Sequence, residues 1–357
     1  MSEGIIPILS IIVISHEQRE ELRRCLDSIL AMNLSFPYEI IVSDDRSTDG
    51  SYELACEFAG KSEKVRGKNE NLLRILALQC NSDLGHCANN SQRSGYNRCN
   101  AYPHARGKYI AHVDADDYFR PGATVYEKQV AALEAHPECA LAMSTCLCLT
   151  EGDPLEYGTP WHFPRKMTDG EVISQRDFVR GDWFRLNQCF IQRRHPEVDP
   201  VALYGIRYVD SVITYHHLQF GQVVYVDACD YVYIGHPGSV VTNLAKEDQD
   251  RLVMWCLGLY IPTLIPEWTR DFYMGSYYQS IRDVIRLAQS GYRLHDNNYN
   301  GLRDMHVWLY DCFARDLSPF DHLRLHLAAT CLKLLKKTGW ENDLFVSVAK
   351  GMLTGKW

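Results

Sequence analysis

The sequence has no Cys-x-x-Cys pair, no Gly-x-x-x-x-Gly-Lys-Ser/Thr loop, no internal repeat and no low-complexity tract. Each absence narrows the field. The thirteen cysteines are odd in number and scattered, which favours reduced cytosolic thiols used as core or surface filler over a zinc site or a disulfide framework. Cys146 and Cys148 come closest together, with the spacing of alternate residues on a strand. The missing phosphate loop, and the lack of Gly-x-Gly-x-x-Gly after the first apolar run, exclude the usual glycine cradles for a nucleotide. The apolar run IIPILSIIVIS from Ile5 is too short to cross a bilayer, is interrupted by Pro7 and follows no basic segment, so a buried strand is expected rather than a signal or an anchor. Basic residues are outnumbered, 37 Lys and Arg against 45 Asp and Glu, and a net charge of -8 argues against general nucleic-acid binding.

Apolar residues are plentiful. They make up 46% of the 357 positions, enough for one large domain or two ordinary ones. ILSIIVI, residues 8–14, reads as a strand covered on both faces. In SHEQREELRRCLDSILAM, Leu22, Cys25, Leu26, Ile29 and Leu30 recur at helical spacing. YEIIVSDD predicts a second strand. DGSYELACEFAG predicts a helix capped at Asp49 or Ser51 and closed by Gly60. RILALQC and GKYIAHVD predict the third and fourth strands. Residues 81–107, rich in Asn, Ser, Gly and Arg, show only weak periodicity. PGATVYEKQVAALEAHPE predicts a helix, CALAMSTCLCLT one strand, SQRDFVRGDWF and YVDSVITYHHLQFG helices, and QVVYVDACDYVYIG extended chain. From about Asn243 the pattern is helical. Strand and helix alternate through the first half, which implies an α/β fold with a mostly parallel, doubly wound sheet. Ligands bind such sheets at the carboxyl ends of the strands.

Two of the predicted strands end in acids, Asp44 and Asp45 on one and Asp114, Asp116 and Asp117 on the other. A single acid there reads as a turn cap or a charge at the start of the next helix. Asp-Ala-Asp is different, because residues two apart at a strand end point the same way. Two carboxylates on one side suit Mg²⁺ or Mn²⁺, ions commonly bound through one or two carboxylates and a ligand's phosphates.

SIIVISHEQREELRRCLDSIL, IIVSDDRSTDGS, ARGKYIAHVDADD and YVDSVITYHHL with YVYIGHPGS, in that order, strongly resemble the inverting nucleotide-sugar glycosyltransferases of the GT-A fold, glycosyltransferase family 2, over roughly residues 8–243. The resemblance implies a catalytic domain in residues 1–243, with 1–120 holding the nucleotide and 121–243 framing the acceptor, followed by a helical region in 244–357. Ser15 and His16 take the places of a turn that packs on the nucleobase, without its proline and tyrosine. Asp45, with Asp44 as second choice, is implied at the base and ribose. Arg98, with Arg93 as rival, is implied at the nucleotide. Asp116 is implied as a metal ligand, Asp114 at the ribose or at the ion through water, and His236 as a third ligand or a diphosphate contact; Asp117 reads as structural. Asp210, where the family writes Glu-Asp and this chain has Val209-Asp210, is implied as the general base. The cofactor implied is Mn²⁺ or Mg²⁺. The partners are a nucleotide-sugar, by default a UDP-sugar, and a saccharide or lipid-linked saccharide acceptor.

Two other readings compete. Phosphatases of the haloacid dehalogenase type also use Asp-x-Asp with Mg²⁺, but after the first strand. A degenerate glycosyltransferase fold would serve as a binding or scaffold module. On the acceptor side Trp161, His162, Trp183 and Phe184 are aromatic or imidazole faces more often found in cores. FDHLRLHLAATCLKLLKK carries Arg324, Lys333, Lys336 and Lys337, so packing on the protein competes with a peripheral, cytoplasmic-side membrane contact.

Overall fold

The computed structural model describes residues 5–32, 34–61, 69–82, 90–160, 166–181, 189–198, 217–236 and 309–338, with a few isolated positions between 274 and 307. The chain divides into two compact units, Met1–Gln175 with Trp183–Thr242, and Arg176–Asp182 with Asn243–Trp357. In the first unit β1 (Leu9–Ser15) is buried at every position, as its unbroken apolar run requires. Helix α1 (Arg19–Ala31) lays Leu22, Cys25, Leu26 and Ile29 on the sheet and starts with Glu20 and Glu21, charges suited to a helix N-terminus. β2 (Tyr38–Asp44), α2 (Ser51–Gly60) and β3 (Leu72–Gln79) follow. Asp49 accepts hydrogen bonds from the Ser51 amide and hydroxyl at the start of α2, 2.9 and 2.6 Å.

Next come α3 (Asn90–Ala101), β4 (Tyr109–Asp114), β5 (Tyr118–Phe119), α4 (Val125–Ala135), β6 (Cys139–Met143) and β7 (Cys146–Thr150). The short β8 (Thr159–Pro160) and β9 (Val172–Ile173) precede α5 (Gln175–Gly181), which from Arg176 belongs to the second unit, and the first unit resumes with β10 (Phe190–Arg193), β11 (Gln222–Tyr225) and β12 (Tyr231–Gly235). In the second unit α6 covers Pro319–Thr338. The main sheet runs β3-β2-β1-β4-β10-β6-β11-β9, and a smaller one runs β5-β12-β7-β8. β3, β2, β1 and β4 are parallel, while β10 lies antiparallel between β4 and β6. The sheet is therefore mixed, with its switch point between β1 and β4, where the carboxyl ends of the strands open a crevice.

One expectation about elements changes, and one stretch left unassigned is filled. Residues 139–150 form two strands in different sheets, broken at Ser144 and Thr145. The break is held from outside: Ser144 N–H bonds the Cys189 carbonyl at 3.1 Å, and Gln129 Nε2 donates to Ser144 Oγ at 3.0 Å. The weakly periodic 81–107 stretch contains α3, whose polar side chains find partners on the sheet rather than forming an apolar stripe.

Behind the crevice the entry to β4 is tight. A Cβ on Gly107 would fall 2.5 Å from the Ser10 amide nitrogen, so only glycine fits. Glu39 locks this point from β2. Its carboxylate accepts Ser10 Oγ (2.6 Å), the Arg106 amide (2.7 Å) and Arg74 Nε (2.7 Å), with Arg106 Nη2 at 3.2 Å. Burial alone would raise the Glu39 pKa, but these donors outweigh it and hold the carboxyl below its ordinary range. Its stabilising effect is thus complete above the unfolded glutamate pKa and is lost as pH falls through the lower folded value. Glu39→Ala is expected to cost about 2–3 kcal/mol in urea unfolding at neutral pH, and the gap from wild type should narrow as unfolding is repeated at increasingly acid pH.

Candidate active site

The parallel register sets Ser15 beside Asp44 and Ile14 beside Asp114, so three strand ends finish at one level. Helix α3 ties them together. Asn97 Nδ2 donates to the carbonyls of Ser15 (3.2 Å) and Ser43 (3.0 Å), and Asn100 Nδ2 donates to Ser43 Oγ (3.0 Å). The turns after β1 and β2 interlock, Glu17 accepting from the Thr48 amide at 2.7 Å and donating its own amide to Ser47 Oγ at 2.8 Å. Glu17 and Arg46 both adopt positive φ, 53° and 52°, a strained conformation for non-glycine residues.

Each acid has its own partner. Asp44 is fully buried and accepts the Ser47 amide and hydroxyl at 2.9 and 2.5 Å, an Asx-turn; burial still pushes its pKa up. Asp45 takes the Ser82 amide and hydroxyl at 3.0 and 2.7 Å and an ion pair from Arg93 at 3.2 Å. Asp114 pairs with Arg98 at 2.5 Å, and Arg98 also donates to Ser94 Oγ at 2.6 Å. Asp116, on the exposed side of the turn, lies 2.9 Å from His236 Nε2. Asp117 points into the core, where it accepts the Tyr231 hydroxyl (2.5 Å) and the Ile234 amide (2.8 Å). Burial and the charges of Asp116 and Asp114 raise the Asp117 pKa well above the usual carboxylate range. From α1, Arg24 donates to the Asp116 carbonyl at 2.8 Å and stacks on the Tyr118 ring. Beneath the acids His112 is buried, and burial, Arg98 and His217 depress its pKa to about 3, so it stays neutral.

The two arginine candidates of α3 therefore serve different acids, Arg98 for Asp114 and Arg93 for Asp45. Ser15 is buried and its hydroxyl has no hydrogen-bond partner among the described residues, while His16 is exposed and donates Nδ1–H to the Asp45 carbonyl at 2.9 Å. Asp210, Trp161, His162, Trp183 and Phe184 lie outside the described residues, as do the side chains of Lys336 and Lys337. Sequence reasoning missed Asn97, Ser82, Arg24 and Tyr231, whose partners are distant in the chain; only Asn97, beside Arg98, stood next to a residue already singled out.

Asp116 and His236 meet across 120 positions of sequence and are each about one-fifth exposed. A carboxylate oxygen facing an imidazole nitrogen is a donor set that fits Mn²⁺, and Mg²⁺ less well. Among the described residues no three His, Cys, Asp or Glu side chains converge as a complete metal cage. A cation here would complete its shell with phosphate oxygens and water. Among the described residues no helix is long and apolar enough to cross a membrane.

Comparison with known proteins agrees with this fold. The family model described as glycosyl transferase family 2 matches residues 10–169. An uncharacterised protein of Mycobacterium tuberculosis, Rv1520, is 25% identical over 64% of this chain, and the match spans 59% of the relative's length. The uncharacterised glycosyltransferase EpsJ of Bacillus subtilis is 32% identical over 32% of this chain and 27% of its own. Among solved structures, S. aureus TarS 1–349 in complex with UDP-GlcNAc aligns with a TM-score of 0.58 and 17% identity over 98% of this chain and 92% of that one. The shared architecture is the GT-A fold.

Asn97 is the joint of the site, so its loss should register in stability. Asn97→Ala is expected to cost about 1–3 kcal/mol by removing the only donor it gives the Ser15 and Ser43 carbonyls. Asn97→Asp, which puts acceptors against acceptors, should unfold at lower urea than Asn97→Ala.

Proposed function

Because the chain carries a glycosyltransferase family 2 domain in residues 10–169, we propose that it moves a sugar from a UDP-sugar to a hydroxyl of a glycan or lipid-linked saccharide, in a metal-dependent single displacement that inverts the anomeric carbon. The observation that carries the reading is the meeting of Asp116 with His236 beside the Arg98–Asp114 pair at the end of β4. A UDP-sugar as donor is supported by the UDP-GlcNAc complex of the structurally similar TarS.

The nucleotide lies across the carboxyl ends of β1 and β2. Asp45 accepts a hydrogen bond from the base or ribose, with Ser82 and Arg93 orienting its carboxylate. Ser15 lies on the same edge and supports the turn beneath the nucleobase, and His16 flanks it. Asp114, held by Arg98, faces the ribose. Asp116 and His236 would hold the cation, which when bound neutralises charge on the departing diphosphate. Arg98, on the nucleotide side of the crevice, keeps the Asp114 carboxylate already oriented, so that it needs no reorganisation during the reaction. Asp210, assigned from the motif it occupies, takes the proton of the acceptor hydroxyl as that oxygen attacks. The bond to the diphosphate oxygen breaks as the new glycosidic bond forms, and no covalent enzyme intermediate is needed.

A phosphatase of the haloacid dehalogenase type would need the first acid of its pair as a free nucleophile. Asp114 is engaged by Arg98 and ends the fourth strand, not the first, which disfavours that reading. A thermal-shift screen of nucleotide-sugars with Mn²⁺ tests the donor. A UDP-sugar at a hundredfold excess over Kd is expected to stabilise the protein by about 2.7 kcal/mol; a shift with GDP or dTDP forms alone overturns the UDP assignment. Slow donor hydrolysis with Mn²⁺ should vanish in Asp116→Ala, and hydrolysis that survives there sinks the metal role.

A further inference from the structure

Asp116 and Asp117 are neighbours in sequence whose side chains part company, one to the crevice and one to the core. Asp117 is 1% exposed. β12 pairs with β5 only as far as Val232 opposite Tyr118. Beyond that pair, on the edge facing the acids, the Ile234 amide donates to Asp117 Oδ1 instead of to a backbone carbonyl. At the start of the same strand the Tyr231 hydroxyl donates to Asp117 Oδ2. A single carboxylate therefore grips β12 at its first and fourth residues, and the chain continues two positions to His236, at 2.9 Å from Asp116. The opposite edge is held by β7, where Gly235 stands beside Thr150.

We propose that Asp117 and Tyr231 form a latch that positions His236 against Asp116 and so sets the affinity of this site for a divalent cation. The inference rests on the metal-dependent reading above. Asp117 does not touch the cation; it acts through the strand that carries the histidine. Outer-shell groups that orient a metal ligand commonly govern affinity by 10- to 100-fold. Simple charge competes as an explanation, since any acid this close attracts a cation. The two ideas separate on substitution. Asp117→Asn removes whatever charge the side chain carries but keeps an acceptor for the Ile234 amide and a partner for the Tyr231 oxygen. Tyr231→Phe keeps the charge and the ring, which packs edge-on against Phe119 at 5.2 Å, but loses the hydroxyl.

The test measures Mn²⁺ binding to the full chain with UDP present, by electron paramagnetic resonance of free Mn²⁺. Pulsed resonance adds the coupling of bound Mn²⁺ to a histidine nitrogen, which Mn²⁺ on free UDP does not show. Tyr231→Phe and Asp117→Ala are expected to weaken binding about tenfold and to diminish the coupling, while Asp117→Asn stays within about threefold of wild type. His236→Ala should abolish the coupling. Should Asp117→Ala fail to fold, Tyr231→Phe carries the test. Wild-type affinity with intact coupling in Tyr231→Phe overturns the latch, and so does an Asp117→Asn as weak as Asp117→Ala. Wild-type protein that binds Mn²⁺ without histidine coupling overturns the ligand assignment of His236 instead, a failure of the underlying reading visible before any latch variant is compared.

Discussion

Mutual repulsion among three carboxylates within four residues is the constraint that organises the crevice. In water such a cluster is tolerable, but at the end of a buried strand each charge requires a partner. The chain supplies these from two distant regions: Arg98 of α3 for Asp114, and β12 with the residue after it for the other two, His236 for Asp116 and Tyr231 with the Ile234 amide for Asp117. Satisfying the acids therefore pulls a helix and a strand from the second sheet onto the end of β4. The electrostatic problem and the assembly of the site are one problem.

The helix α3 shows how far this goes. Its sequence is polar, and an isolated segment of this composition would form little helix. It persists here because Asn97, Asn100 and Arg98 give their donors to the sheet, and Arg93 reaches Asp45. The parallel register of β1, β2 and β4 brings those acceptors to one height, so a single helix can reach them all. Glu39 plays the matching part at the opposite end of the strands, fixing where β4 enters the sheet.

What could be read from sequence follows from whether a signal is local. β1, α1, β2, α2, β3 and β4 were legible because their patterns repeat within each segment, as Leu22, Cys25, Leu26 and Ile29 do on α1. The acids at the ends of β2 and β4 were legible as a crevice because a parallel sheet has only one carboxyl edge. Hidden instead were features decided by distant partners. Nothing in CALAMSTCLCLT marks a break at Ser144, since Gln129 and Cys189 make it. Nothing in YNRCNA marks a helix that staples two strand carbonyls. The division of labour between Arg93 and Arg98 was likewise invisible, because both lie in one polar stretch and only contact with Asp45 or Asp114 tells them apart.

Both acid motifs place a carboxylate that shapes the site next to one that faces it. Asp44 turns back on its own loop through Ser47, while Asp45 meets Ser82 and Arg93 from other segments. Asp117 holds β12 from inside the core, while Asp116 meets His236 in the crevice. Adjacent residues at a strand end point to opposite sides, so a pair of aspartates delivers one to each environment without any further design. Burial raises the pKa of the inward member in each pair, Asp44 and Asp117. Aspartate is short enough to serve both ends, and a glutamate inward would overfill a core position that is 0 to 1% exposed. The doubled acids are thus explained by geometry before any ligand is considered: Asp116 is the member that reaches the crevice surface, while Asp45, 3% exposed, faces Ser82 and Arg93.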